Sequence, residues 1–156
     1  MAAGAWVIFT RSKRNLATTS SGIHLDGVFR MMLCRASASA ALLGITNTGI
    51  SAWSQVPGEI SARGGYAANG RSIPAIKWTV GASTKQMKFS FTTAGLVFTA
   101  SGSALNNIKY AVIRNSTGAG AGKVLCYCTL STAAFSISNP NTLTILPAAT
   151  GVFTLA

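Results

Sequence analysis

Three groups of residues in this 156-residue chain have types and spacings that could do chemistry. His24 and Asp26 stand two apart, which on a strand places both on one face. With a serine they would begin a hydrolase triad. Serines occur throughout the chain, so none is marked as a partner, and an ordinary polar contact is the expected role for His24. The run Gly118-Ala119-Gly120-Ala121-Gly122-Lys123 invites comparison with a phosphate-binding loop. That motif needs glycine where Thr117 stands and Ser or Thr where Val124 stands, followed by a helix. A strand is expected after Lys123, so a hairpin loop is the better reading. Cys34, Cys126 and Cys128 cannot all pair with one another. Three buried, reduced thiols are expected, with a disulfide at Cys34 the lesser alternative.

Composition narrows the chemistry further. Thirteen Lys and Arg face two acids, Asp26 and Glu59, for a formal net charge of +11. Two carboxylates so far apart in sequence make an acid/base pair for glycoside hydrolysis improbable. One histidine and two acids do not supply the usual zinc or di-metal ligand set. No enzyme activity, cofactor or metal is therefore expected. No apolar run approaches the ~18 residues of a membrane span, and no membrane partner is expected. The apolar start precedes its basic cluster, the reverse of a secretory leader, so synthesis in the cytoplasm is expected.

The elements that would carry any function are strands. Hydrophobic residues make up 49% of the chain, enough for a sizeable core, while charged residues are only 10%, so Ser, Thr and Asn must cover much of the surface. Period-two alternation appears at Ile23–Leu33, Ile76–Val80, Met87–Phe91, Leu96–Phe98, Ile108–Val112 and Val124–Leu130. Shorter strands are expected at Phe135/Ile137, Leu143/Ile145 and Phe153/Leu155. Turn formers separate them, among them Gly64-Gly65, Asn69-Gly70, Gly102, Asn139-Pro140-Asn141 and Gly151. The expected fold is all-β: one antiparallel β-sandwich over residues 22–156, jelly-roll-like, behind an extended N-terminal arm over residues 1–21. Its core should include Leu25, Phe29, Met31, Leu33, Ile76, Trp78, Met87, Phe89, Phe91, Phe98, Tyr110, Val112, Val124, Leu130 and Phe153. Residues 36–46 suit either a short helix or a Gly/Ser-rich connection.

The arm holds the candidate partner-binding residues. Trp6, Ile8 and Phe9 would be an aggregation liability if exposed on a free monomer. Either another subunit covers them or they pack on their own domain. Arg11, Lys13 and Arg14 form the one basic cluster; the other cations are spread singly. A dispersed basic surface suits an acidic protein partner better than a nucleic-acid groove, and no aromatic-plus-basic RNA-binding signature accompanies it.

The second half of the chain resembles a loose family of small tailed-bacteriophage virion proteins. The carrying residues are Gly58-Glu59-Ile60-Ser61-Ala62-Arg63-Gly64-Gly65-Tyr66, followed by Asn69-Gly70-Arg71. Phe98-Thr99-Ala100, the strand Lys109-Tyr110-Ala111-Val112-Ile113-Arg114, the turn Ser116-Thr117-Gly118 and the strand Val124 to Leu130 follow in the same order. The closing Gly151-Val152-Phe153-Thr154-Leu155-Ala156 is similar to the family's terminus. The resemblance implies a non-enzymatic virion component: a capsid cement or decoration protein on the outside of the major capsid protein shell, bridging neighbouring subunits as a homo-oligomer. A tail or neck component of the virion is the first alternative, and a basic nucleic-acid-binding module the second.

Overall fold

A computed structural model describes residues 4–16, 23, 27–39, 50–80, 86–117 and 121–155. Along them run β1 (Trp6–Ile8), α1 (Thr10–Leu16), β2 (Phe29–Cys34), β3 (Arg71–Ser72), β4 (Lys77–Val80), β5 (Met87–Ser90) and β6 (Leu96–Thr99). Then come β7 (Leu105–Ile108), β8 (Tyr110–Asn115), β9 (Val124–Thr129), β10 (Phe135–Ile137), β11 (Thr142–Ile145) and β12 (Phe153–Leu155). Every strand pairing among the described residues is antiparallel. Five strands form one sheet in the order β1-β9-β8-β2-β3, and three small sheets are β12-β5-β4, β11-β6 and β10-β7. The all-β antiparallel architecture expected from the alternation is present. The pairings among the described residues do not establish the jelly-roll order.

One face of the large sheet meets the small sheets across the main core. Phe29, Met31, Leu33 and Ile113 supply one side; Phe89, Phe98, Ile108 and Phe153 supply the other. Phe89 is the hub, with ring centroids 5.5 Å from Phe29, 4.8 Å from Trp78 and 5.2 Å from Phe153. Offset and tilted ring pairs of this kind add stabilisation beyond the area they bury. The chain crosses between sheets at Lys109. Ile108 ends β7 in the main core, whereas Tyr110 begins β8 facing the other way.

The opposite face of the large sheet is also buried. Met32, Cys34, Tyr110, Val112, Val124 and Tyr127 form a second core, covered by Phe9, Ala38, Ile50, Val56 and half-buried Trp53. A bulge fits β9 to both cores. Ile113 pairs with Cys126 but Arg114 with Val124, so Leu125 is an extra residue. The bulge lets adjacent Leu125 and Cys126 both join the main core, while Val124 and Tyr127 serve the second.

Several expectations are corrected here. Residues 4–16 are not an extended arm. β1 pairs with β9 through Trp6 and Cys128, Val7 and Tyr127, and Ile8 and Cys126. Phe9 is fully buried, its ring 5.3 Å from that of Tyr127. Met87, expected in the core, is 40% exposed beside its cross-strand partner Val80, because the β4–β5 ladder ends there beyond the aromatic cluster. Ile76 and Trp78 are half-buried at the margin of the main core. Of residues 36–46, Ala36–Ala38 form one 3₁₀ turn; residues 40–46 and Leu25 lie outside the described residues. Near β3, Gly70 has φ +71, and a Cβ there would collide with the Met31 carbonyl, so glycine is needed for β3 to lie against β2.

Truncating Phe9 to Ala should cost about 3 kcal/mol by denaturant unfolding, because a fully buried ring is lost between α1 and β9. Val7→Ala, on the exposed side of β1, should cost under about 1 kcal/mol. Equal, negligible effects would show that this segment is not part of the folded domain.

Candidate functional site

The sequence around α1 gives it two unlike sides. Ser12 and Asn15 are buried, and Leu16 packs on the main core. Ser12 Oγ donates to the Val124 carbonyl at 2.5 Å, and Ile23 N–H donates to the Asn15 carbonyl at 3.0 Å. Phe9 N–H donates to the Leu125 carbonyl at 3.2 Å, so the first half of the helix is fixed to β9. Arg11, Lys13 and Arg14 are all exposed on the outer side. Lys13 and Arg14 stand in the last turn, where cations favour the helix dipole. The result is a short basic ridge held against a rigid sheet.

The six residues expected to bind a partner therefore divide. Arg11, Lys13 and Arg14 face solvent together. Phe9 is consumed by the second core. Ile8 and Trp6 are half-buried against the main core. Trp6 also borders a largely apolar groove of about 780 Å³, whose other walls include Leu130, Phe135, Leu143 and Phe153. Sequence reasoning did not anticipate this groove, because its walls come from strands far apart in the chain.

Several other polar groups are committed to the fold. Tyr66 O–H donates to Glu59 Oε1 at 2.7 Å while its oxygen accepts from Leu33 N–H at 3.1 Å. Arg30 donates to the carbonyls of Asn69 and Gly70 at 2.9 and 2.6 Å, tying the 63–71 loop to β2. Arg71 donates to the Val97 carbonyl. Arg114 lies opposite Arg30 across the β2–β8 ladder. Partial burial, and then Arg30's like charge, lower its pKa from the ordinary arginine value.

The three cysteines are free and buried, as the sequence led us to expect. Burial raises all three thiol pKa values. Cys128 is pushed up to about 11, Cys34 is lifted further with help from Glu59's charge, and Cys126 is lifted by burial and then by Cys128. Burial, and then the bond to Glu59, likewise raise the Tyr66 phenol. Such thiols are poor nucleophiles. His24 and Asp26 lie outside the described residues, as do 118–120 of the glycine run. Lys123 sits beside a hairpin closed by Asn115 N–H to the Lys123 carbonyl at 2.8 Å, and strand β9 follows it. Among the described residues no group of three His, Cys, Asp or Glu could hold a metal ion. No family model, curated protein or solved structure matches the chain.

The raised thiol and phenol pKa values carry a definite sign. The folded state keeps protons that the unfolded chain releases above the ordinary thiol pKa, about 8.5. The stability these groups contribute is complete below that pH and is lost above it. Under reducing conditions, the denaturant midpoint should be level from pH 7 to 8 and fall steadily by pH 10. A midpoint still level at pH 10 would contradict the burial of these groups.

Proposed function

We propose that this chain is a structural adhesive of a tailed-phage virion: a cement protein that seats on the outside of the major capsid protein shell and bridges neighbouring subunits. The observation that carries this reading is the basic ridge of Arg11, Lys13 and Arg14 on a helix fixed to β9. On a pre-ordered helix only side-chain freedom is left to lose on docking, and a positive surface speeds and orients encounter with an acidic one. The net charge of +11 supports an acidic partner over self-association by charge. The ordered resemblance to small virion proteins supports a capsid shell as the partner's source.

The attachment mechanism differs from a free apolar tail. Phe9 cannot leave its core without opening the second face of the sheet. Apolar contact with the shell would instead involve the Trp6 groove, next to the same edge strand. Each ridge makes a modest electrostatic contact, and an oligomer on a repeating shell multiplies it through effective concentration. The protein then acts by bridging, without turning over a substrate. Deleting residues 2–14 would remove β1 and most of α1 together, so side-chain substitutions are the cleaner test.

The triple variant R11A/K13A/R14A changes only exposed side chains and should keep its fold. Copies retained per particle should fall severalfold at low salt relative to the unaltered protein, and the two should converge as salt rises. Equal retention at every ionic strength would contradict the role of the ridge. Absence of the protein from purified particles would contradict the virion reading. Salt-sensitive binding to duplex DNA in place of particles would favour a nucleic-acid module.

A further inference from the structure

We propose that β1 is a docking edge: an extended segment of an acidic partner protein adds to it as a sixth strand of the large sheet, its acidic residues leading and its apolar residues following. β1 is the terminal strand of that sheet. Phe9 N–H donates to the Leu125 carbonyl, one register step beyond the pair Ile8 and Cys126. Bonded and unbonded pairs alternate along an antiparallel ladder. Val7 therefore exchanges bonds with Tyr127, and the backbone N–H and C=O of Trp6 and Ile8 turn to the outer edge. Among the described residues no strand pairs with that edge.

Nothing within β1 blunts this edge. Natural sheets protect an edge with charged residues or proline. Trp6, Val7 and Ile8 carry no charge, and all three types favour strands. At the sheet's other edge, β3 is two residues long and carries Arg71. The surface beside β1 changes along its length. At the Trp6 end lies the apolar groove, with Leu130, Phe135, Leu143 and Phe153 in its walls and no charged residue in its lining. Leu146 also lines it, with 57% of its surface exposed. At the Ile8 end the chain runs through Phe9 into α1, where Arg11, Lys13 and Arg14 face solvent.

The two ends define the occupant. Antiparallel is the sense of every pairing among the described residues, and a strand added in that sense runs opposite to β1. Its N-terminal half passes the cationic ridge and its C-terminal half passes the groove. Residues set opposite Trp6 and Ile8 send their side chains to the main-core side, as those two do. The complementary segment therefore carries carboxylates first and then apolar residues in alternation. Three extended residues span about 10 Å, the length of the seven-residue helix, so a short acidic run is enough for the ridge. A second copy of this chain is the poorer occupant, because at a net charge of +11 it brings cations to cations. The acidic character of the partner rests on the function proposed above; the open edge rests on the β1–β9 ladder alone.

The test uses the full chain in solution and follows amide-proton exchange residue by residue by ¹⁵N NMR. In the free chain the amides of Val7 and Phe9 should exchange slowly and those of Trp6 and Ile8 fast. The probe is the blocked peptide Asp-Glu-Asp-Ser-Val-Thr-Leu-Thr-Val. It should bind saturably at low salt and slow exchange at Trp6 and Ile8 by about tenfold or more. The same peptide N-methylated at its Leu and both Val should not bind, because it lacks donors for the Trp6 and Ile8 carbonyls. The reversed sequence, Val-Thr-Leu-Thr-Val-Ser-Asp-Glu-Asp, should bind about tenfold more weakly. Arg11→Gln/Arg14→Gln and Leu146→Asp change exposed side chains, and each should weaken the peptide severalfold. Arg63→Gln/Lys77→Gln removes the same charge elsewhere and should leave the affinity as it is. Slow exchange at Trp6 and Ile8 in the free chain at every concentration would mean a closed edge and overturn the proposal. Slow exchange that sets in as the chain is concentrated would give the edge to a second copy and overturn it as well. So would no binding, binding without protection of these two amides, or a reversed peptide that binds equally well. Because no particle takes part, these results are separate from success or failure of particle attachment.

Discussion

The five-stranded sheet must be covered on both faces, and the rest of the molecule follows from that constraint. Its three central strands read FRMMLC, YAVIRN and VLCYCT, with almost every residue buried. An apolar sheet face left open to water would be a site of aggregation. The small sheets cover one face through the aromatic cluster around Phe89. The other is covered by short pieces: Phe9 ahead of α1, the turn at Ala36–Ala38, and the stretch from Ile50 to Val56. The last of these is held by Val124 N–H donating to the Ser51 carbonyl at 3.1 Å and Trp53 N–H donating to the Gly122 carbonyl at 2.7 Å, and Gln55 Oε1 shapes it by accepting from the N–H groups of Ser51 and Ala52 at 2.8 and 3.0 Å.

That cover links packing to function. One of the segments that seal the second core also carries Arg11, Lys13 and Arg14 outward, so the backbone of the ridge is tied to the sheet beneath it. Other arginines do structural work. Arg30 and Arg71 satisfy backbone carbonyls around the glycine-rich loop, and Glu59 is bonded to Tyr66. The positive charge therefore has two uses: some of it ties loops to strands, and some is displayed. In the proposed function the displayed part draws the molecule to an acidic shell, and the repetition of that shell converts weak contacts into firm attachment.

Strands with one solvent-facing side were legible in the sequence. The alternation of Met87, Phe89 and Phe91, or of Leu96 and Phe98, marks a face by period two, and Phe89, Phe91, Leu96 and Phe98 are buried as expected. The second core was not legible. Met32 and Cys34 stand at positions that alternation assigns to the outside, yet both are fully buried in it. A sheet covered on both sides reads as a continuous apolar run, and period two cannot show that. The N-terminal helix escaped for a different reason: its inward residues Ser12 and Asn15 are polar, so hydrophobic periodicity has nothing to register. The basic cluster was plain from spacing alone. That it sits on a fixed ridge, and that β1 beside it is an open edge, depend on contacts between residues far apart in the chain.

The central claim is that a fixed basic face joins this molecule to an acidic protein shell. Imaging intact particles at a resolution that traces helices tests it most directly. The account predicts the domain on the outer capsid in many copies, with α1 turned toward acidic residues of the major capsid protein. A domain found only in the tail, or seated on the shell with α1 turned to solvent, would contradict it.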